Sequence, residues 1–379
     1  GLVENVQILS SNLVQNGDFS EEGVQEVSNG SFSQEGSELI VNGDFATDSD
    51  WTLTQATISN GAATFVTTDG SFAGIRQNVF TIGKTYLISL EVSNLVGTAE
   101  VNTNGGTSIG LDITSNGVKS FYMVAENTDI EIKRKFGITN VSATIDNCSV
   151  REVGQDWDLA TGWSIAEDKA INNGTSGNLY QSGIIVTGKQ YKIQATISDY
   201  VSGDVEVSAG AVPRGAMSAN GTYTFYQTAS STSNLFIISK SFNGSIDNCS
   251  VREVGQDWTF SSGATLTALG AKITHTPTAG VIQQVSVLTI GKQYKLTYEI
   301  TENVSGGLKI TSATNNSMVT TVGTHTKYFK SNSPSTFSIA RTDASNNDVT
   351  ITNISVIEIT DDTNLPRISY ENFSYQDAL

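Results

Sequence analysis

The sequence is poor in the residues that carry most enzyme chemistry and covalent cross-linking. Its 379 residues include two histidines, two cysteines and four prolines. His275 and His325 have no nucleophile or metal-binding motif beside them, so no catalytic site is predicted and the protein is expected not to be an enzyme. Cys148 and Cys249 hold the same place in two copies of a repeat, and we expect two separate, buried, free thiols.

Positive charge and long hydrophobic runs are also lacking. The chain has 21 Lys and Arg against 38 Asp and Glu, a net charge of −17. Phosphate backbones are bound by clustered Lys and Arg, so nucleic acid is not expected as a partner. No apolar run reaches the roughly 18 residues needed to cross a bilayer, so membrane insertion is not expected either.

What the sequence does have is a long internal repeat. The thirteen residues Ile145–Trp157 return unchanged at Ile246–Trp258, 101 positions later. A repeat of about 100 residues has the size of a complete small domain, whereas solenoid units are roughly 20 to 50 residues long. The sequence therefore predicts three tandem domains and a C-terminal tail: 39–154, 155–255, 256–358 and 359–379.

Each repeat is strand-like. Tyr86–Ser93, Tyr191–Ser198 and Tyr294–Thr301 alternate between apolar and polar residues, and each follows a Gly-Lys pair typical of a tight turn. Gly, Ser, Thr, Asn and Val dominate the stretches between them, which favours short strands and turns. The predicted fold class is all-β, with each repeat a β-sandwich.

A shorter repeat precedes the first domain. Asn16–Phe19, Asn29–Phe32 and Asn42–Phe45 recur every 13 residues, and only the last copy is followed by a domain. Residues 1–38 are therefore interpreted in two ways. They are an arm whose strands pair with another subunit or with an assembly, or a disordered leader left by duplication.

These motifs together resemble a known family. An opening Asn-Gly-Asp-Phe, a Trp soon after, a Gly-x-x-Tyr and a closing Ile-Asp-Asn-x-Ser-Val resemble the jelly-roll, galactose-binding-like carbohydrate-binding modules, over about residues 39–358. Units with sequences close to VNGDFATDSDW and GSIDNCSVREVGQDW are similar to repeats in fibres, spikes and head-decorating proteins of tailed bacteriophages. Thr363–Tyr370 also resembles a segment of such virion proteins.

Sugar binding requires aromatic faces on which a pyranose can stack. Trp51 and Trp163 stand at matching places, each six residues after the aromatic residue of an Asp-Phe or Asp-Trp pair. Tyr180 and Tyr226 are further candidates in the second repeat. The competing interpretation is that a regularly placed Trp belongs to the core of the sandwich.

The resemblance also implies a structural calcium ion between the opening motif and the closing strand. Carried over by position, its ligands would be Asp44 with Asp146 in the first domain and Asp156 with Asp247 in the second. In the third, Thr352 replaces the second carboxylate. The alternative is that Asp44 makes a turn hydrogen bond and Asp146 faces solvent.

The resemblance implies a structural protein on the surface of a tailed-phage virion, in a head fibre or decoration or in a tail fibre, with modules that attach to host-surface glycans. Expected partners are other virion proteins, through residues 1–38 and 359–379, and further copies in a homo-oligomer. The alternative is a glycan-binding accessory region of a secreted bacterial polysaccharide-degrading enzyme or adhesin. Neighbouring genes would separate the two.

Overall fold

The computed structural model describes residues 8–103, 111–210, 214–230, 233–261, 263–275, 280–314, 316–343 and 345–360. Within these ranges all regular structure is β, and the predicted all-β sandwich class is confirmed. In the part described, no helix is long and apolar enough to cross a membrane.

Buried apolar side chains form three separate clusters. We call the structure around each cluster a unit. The core of unit 1 runs from Ile40 to Val150. That of unit 2 runs from Val153 to Val251 and includes Val27 and Phe32. That of unit 3 runs from Val254 to Val356 and includes Val14 and Phe19. The sequence boundaries given above for domains stay a prediction.

The strands follow the chain order of these units. Before unit 1 lie β1 (Ile8–Leu9), β2 (Glu22–Gln25) and β3 (Glu35–Glu38). Unit 1 contains β4 (Thr52–Thr54), β5 (Ala56–Ser59), β6 (Ala62–Thr67), β7 (Gly74–Asn78), β8 (Thr85–Val96), β9 (Ala99–Thr103), β10 (Leu111–Ile113), β11 (Gly117–Val124), β12 (Asp129–Arg134) and β13 (Val141–Val153).

The described strands of units 2 and 3 follow a similar succession, with eight and nine strands against the ten of unit 1. Unit 2 contains β14 (Asp158–Leu159), β15 (Trp163–Ala166), β16 (Lys169–Asn173), β17 (Gly177–Gln181), β18 (Gln190–Ala209), β19 (Arg214–Met217), β20 (Gly221–Thr228) and β21 (Leu235–Val254). Unit 3 contains β22 (Thr259–Phe260), β23 (Ala264–Thr267), β24 (Gly270–Thr274), β25 (Val281–Gln284), β26 (Gln293–Ser305), β27 (Leu308–Ile310), β28 (Gly323–Lys330), β29 (Phe337–Arg341) and β30 (Asp348–Thr360).

Two antiparallel layers enclose each core. In unit 1 they are β11-β8-β13-β6-β5 and β10-β9-β12-β7-β4, and in unit 3 they are β23-β24-β30-β26-β28 and β22-β25-β29-β27. In unit 2 the two 20-residue strands β18 and β21 pass from one layer to the other and link them into one sheet. The alternating strands predicted after each Gly-Lys pair are β8, β18 and β26, and Gly83, Gly188 and Gly291 have the expected positive φ.

Residues 8–45, which we call the leader, contact the three units in reverse order. β1 pairs with β30 of unit 3, β2 with β21 of unit 2, and β3 with β13 of unit 1. For residues 8–38 the interpretation as a disordered leader is therefore wrong, because these strands pair with strands of the same chain. The docking of residues 1–38 to other virion proteins stays a prediction. Residues 1–7 lie outside the described residues.

Each 13-residue repeat of the leader supplies one unit with its opening turn. An amide of Phe19, Phe32 or Phe45 donates to the carbonyl of the Asn three residues earlier, at 3.1–3.2 Å. The glycine of each turn then lies against the closing strand. The amides of Ile354, Cys249 and Cys148 donate to the carbonyls of Gly17, Gly30 and Gly43 at 2.8–2.9 Å. A Cβ at any of these glycines would stand 2.0 Å from a carbonyl oxygen, so only glycine fits.

A tryptophan closes each opening turn. The indole N–H of Trp51 donates to the carbonyl of Asn42 at 3.1 Å, that of Trp157 to Asn29 at 3.0 Å and that of Trp258 to Asn16 at 3.1 Å. Each indole also packs on the Phe of its turn, with ring centroids 5.1–5.4 Å apart. The counterparts of Trp51 are therefore Trp157 and Trp258, and the proposed match with Trp163 is wrong.

In the layer that contains β7, β17 or β25, one glutamine of each unit hydrogen-bonds to both the amide and the carbonyl of one leader residue. Gln77 accepts from the Val41 amide and donates to its carbonyl, at 3.0 and 2.9 Å. Gln181 does the same to Ser28 and Gln284 to Gln15. On the closing strands, the amides of Val150, Val251 and Val356 donate to the side chains of Glu38, Gln25 and Asn12 at 2.8–2.9 Å. The three docking sites are thus built alike.

Cys148 and Cys249 are both free and buried, as expected from their equivalent places. Each follows an Asn with positive φ, Asn147 or Asn248, where a β-bulge interrupts the closing strand. The bulge turns the cysteine amide toward the leader glycine while the thiol enters the core. Burial raises the pKa of both thiols far above the ordinary range, so neither is a thiolate at neutral pH.

Candidate binding site

A cleft of about 460 Å³ lies where unit 3 meets unit 2 and the leader. The leader contributes the turn and strand that run from Asp18 to Glu22, and unit 2 contributes Lys192 on β18 and Tyr226 on β20. Unit 3 supplies the hairpin Leu266–Gly270 that joins β23 to β24. Three distant stretches of sequence therefore meet around one concave surface.

Tyr226 is the tyrosine that lines this surface. It lies on β20, the outer strand beside β18, directly opposite Lys192. Its ring is partly buried against the core of unit 3. A second groove, of about 550 Å³, shares Tyr226 and Lys192 with the cleft and adds Gln194, Thr224 and Phe225. Tyr226 and Lys192 thus line both the cleft and the groove.

Charged groups near the ring are paired and fixed. The Lys192 ammonium lies 2.6 Å from a Glu22 carboxylate oxygen, and Arg252 lies 3.6 Å from the other oxygen. The hydrogen bond to Glu22 raises the pKa of Lys192. Hydrogen bonds from the Ser20 hydroxyl and amide lower the pKa of Asp18. The cleft thus contains an aromatic ring, two carboxylates, an ammonium and hydroxyl groups, which is the chemistry that holds a sugar by stacking and hydroxyl hydrogen bonds.

Of the four aromatic residues predicted from sequence, one lines this cleft. Trp51 and Trp163 are 8% and 5% exposed and belong to the cores, so neither offers a face to a ligand and their stacking role is wrong. The Trp163 indole donates to the Gly177 carbonyl at 3.2 Å. Tyr180 is partly exposed on β17, packs 5.5 Å from Phe236 and does not line the cleft. Tyr226 remains as the candidate.

Sequence reasoning missed the polar residues of the site. Glu22 and Asp18 belong to the leader, and nothing in their local sequence indicates that they meet unit 2 or unit 3. The one usable signal is the number of Asn-Gly-x-Phe motifs. There are three copies, 13 residues apart, and three repeats that each need an opening turn.

The aspartates proposed for calcium make local contacts instead. The Asp44 carboxylate accepts from the Ala46 amide at 3.3 Å, and that of Asp146 accepts from the Asn147 amide at 2.6 Å. Asp247 is bound in the same way by Asn248. The leader turn of unit 2 carries Ser31 where Asp44 stands in unit 1, so the equivalence assigned to Asp156 is wrong.

Across the described ranges, no group of three or more Asp, Glu, His or Cys side chains could hold a metal ion. Calcium sites also use backbone carbonyl ligands, and the calcium site that the resemblance implies stays a prediction.

Comparisons with known proteins assign no family. No family model and no curated protein matches the chain. Among solved structures, the chain is similar to the N-terminal CBM22-1–CBM22-2 tandem domain of Paenibacillus barcinonensis Xyn10C, at 10% identity over 58% of this chain and 99% of that one, with a TM-score of 0.24. It is also similar to a chain of Sulfolobus Turreted Icosahedral Virus, at 17% identity over 82% of this chain and 90% of that one, with a TM-score of 0.19.

Proposed function

We propose that the protein is a non-enzymatic structural protein on the surface of a tailed-bacteriophage virion, part of a head fibre or decoration or of a tail fibre. In this proposal it holds host-surface glycan in the cleft around Tyr226. The placement on a virion rests on the similarity of its repeats to those of phage fibre, spike and head-decorating proteins. The proposed binding of glycan rests on the cleft.

The cleft around Tyr226 is the observation that carries the binding proposal. The partly buried ring of Tyr226 lines two grooves together with Lys192, Glu22, Gln194 and Thr224. Side chains of these types exchange hydrogen bonds with sugar hydroxyl groups, while the chain's net charge of −17 disfavours acidic sugars. A neutral oligosaccharide is therefore the expected ligand.

The continuous leader supports the structural role. It is bound to all three units by backbone pairing and by the three glutamine clamps, so the units are tied together by a second connection besides the chain that runs through them. Such a second connection makes the arrangement of the units more rigid, which suits a protein that projects a binding surface from a virus particle.

The binding test compares full-length variants on a glycan array, with affinities measured by calorimetry. Tyr226→Ala should weaken binding about 2- to 13-fold, since stacking on one aromatic ring is worth about 0.5–1.5 kcal/mol. Tyr226→Phe keeps the ring and should retain most of the affinity. Tyr180→Ala is the matched control and should bind like the parent.

Two results would contradict the proposal. Equal glycan affinity in the parent and in Tyr226→Ala would remove the cleft as the site. Absence of the protein from purified particles, probed with antibody by immunogold labelling, would remove the virion role.

A further inference from the structure

The contact between consecutive units repeats along the chain. In unit 1, Leu87 and Tyr122 pack against the core of unit 2, and in unit 2, Tyr226 packs against the core of unit 3. Tyr122 and Tyr226 are both the sixth residue of an eight-residue outer strand, and they lie opposite Leu87 and Lys192. The outer face of one sandwich layer thus receives the next unit.

Unit 3 carries the same face with no described neighbour on it. Its sixth residue on β28 is Tyr328, opposite Lys295, and Tyr328 is 58% exposed. The strand paired with this outer strand is β8, β18 or β26, and its first residue is Thr85, Gln190 or Gln293. That residue is buried in units 1 and 2 and exposed in unit 3. We call the surface of Tyr328, Lys295 and Gln293 the distal face.

The distal face is also more apolar than its counterparts. Opposite Leu87 and Lys192 on the closing strands stand Arg151 and Arg252, and these pair with Glu35 and Glu22 of the leader. In unit 3 the corresponding closing-strand residue is Ile357, opposite Lys295. The corresponding leader residue is Leu9, which is 47% exposed beside Ile359. Ile357 and Leu9 thus stand in unit 3 where units 1 and 2 have an Arg–Glu ion pair. A patch of exposed apolar side chains is typical of a protein–protein interface.

Among the described residues, no unit packs on the side of unit 1 that corresponds to the contacts made by units 2 and 3 with the unit before them. In units 2 and 3, the hairpin β15–β16 or β23–β24 contacts the preceding unit. The corresponding hairpin of unit 1 is β5–β6. Each of the three hairpins carries one aliphatic residue opposite an Ala on the next strand: Ile58, Ile165 and Leu266. Ile165 and Leu266 are 1% and 3% exposed. Ile58, in unit 1, is only partly buried. We call the surface of Ile58 and the adjoining Asp44 the proximal face, since the hairpin turn at Gly61 lies next to the Asp44 carbonyl.

The distal and proximal faces carry opposite charges. At the contact between units 2 and 3, Asp18 of the opening turn shares the cleft with Lys192. At the contact between units 1 and 2, the corresponding residues are both uncharged, Ser31 and Leu87. The free faces carry Asp44 and Lys295, which is the charged combination again.

We propose that the distal face of one molecule binds the proximal face of a second copy, so that unit 1 of the second copy occupies the place of a fourth unit. Tyr328 and Leu9 pack against Ile58 of the partner copy, and Lys295 faces its Asp44. The contact joins two different surfaces, so it builds a closed ring or an open chain of molecules. It goes beyond the proposed function and holds whether or not the cleft binds glycan.

The test is sedimentation velocity on the full chain over a wide range of concentration. The parent should associate as concentration rises. Tyr328→Asp, which removes the distal face, and Asp44→Lys, which reverses the proximal charge, should each weaken association at least tenfold. Asp44→Lys combined with Lys295→Asp should restore it. Lys240→Glu, a charge reversal outside both faces, should associate like the parent.

Mixing the two single variants gives the sharpest result. Tyr328→Asp retains the proximal face and Asp44→Lys retains the distal face, so the mixture should form dimers and nothing larger. A parent chain that stays monomeric at every concentration would overturn the proposal. So would association that survives Tyr328→Asp, or a mixture that contains only monomers. Unchanged circular dichroism of each variant shows that folding is intact.

Discussion

Replacing Phe32 by Ala should destabilise unit 2, although Phe32 precedes unit 1 in the chain. Its side chain is 1% exposed and its ring lies 5.1 Å from that of Trp157. Truncating a buried Phe to Ala costs about 3–5 kcal/mol because both apolar contact and packing are lost. Single domains have about 5–15 kcal/mol of stability in total, so the loss is a large part of what unit 2 has.

Hydrogen exchange measured by mass spectrometry locates this loss. Amides of β15 and β16 should exchange about 100-fold faster or more in Phe32→Ala, because each 1.4 kcal/mol corresponds to a factor of ten. Phe19→Ala should act in the same way on β23 and β24 of unit 3, and Phe45→Ala on β5 and β6 of unit 1. Faster exchange of unit 1 in Phe19→Ala, or no change in any unit in Phe32→Ala, would refute the reverse order.

Two further predictions concern titrating groups. Burial raises the pKa of Glu38, but hydrogen bonds from the Ser149 hydroxyl and the Val150 amide outweigh it and leave the pKa lowered from 4.5. These bonds therefore stabilise the leader above that pH and are lost as the pH falls through the lower folded value. NMR should show the Val150 amide losing protection in acid, Glu38→Gln should abolish that dependence, and Val251, whose acceptor is Gln25, should show none. The buried thiols of Cys148 and Cys249 should react with a thiol reagent only after unfolding, and rapid labelling of the native chain would contradict their placement.

The sandwich class and its main strands follow from local sequence. Alternation over Tyr86–Ser93 and its two repeats identifies β8, β18 and β26, because one face of each strand is buried. The Gly-Lys turns follow from the positive φ that glycine tolerates. Those features depend on neighbours in sequence, and they are the part that could be predicted.

The leader could not be placed from sequence because its partners are up to about 350 residues away, as in the pairing of Leu9 with Ile359. In unit 1 the Asn-Gly-x-Phe motif contacts the Trp that follows it in sequence, because Asn42 and Trp51 are close in the chain. In units 2 and 3 the motif and its Trp belong to different parts of the chain. That separation produced the incorrect matches of Trp163 and Asp156.

The bulge in the closing strand was also beyond local reasoning. Strict alternation from Ile145 would put Asn147 and Ser149 in the core, yet Cys148 and Val150 are buried. The register shift at Asn147 makes this possible, and it also gives the Cys148 amide to Gly43. The bulge is therefore explained by a leader contact that the strand alone does not reveal.

The intramolecular docking of the leader is tested most directly by one pair of engineered cysteines. Leu9 and Ile359 lie directly opposite each other on β1 and β30, and opposite residues of an antiparallel pair are close enough for a disulfide. Leu9→Cys with Ile359→Cys should form, under mild oxidation, a bond within one chain, which non-reducing electrophoresis and peptide mapping detect. A bond found only between two chains, or no bond at all, would contradict the reverse-order leader.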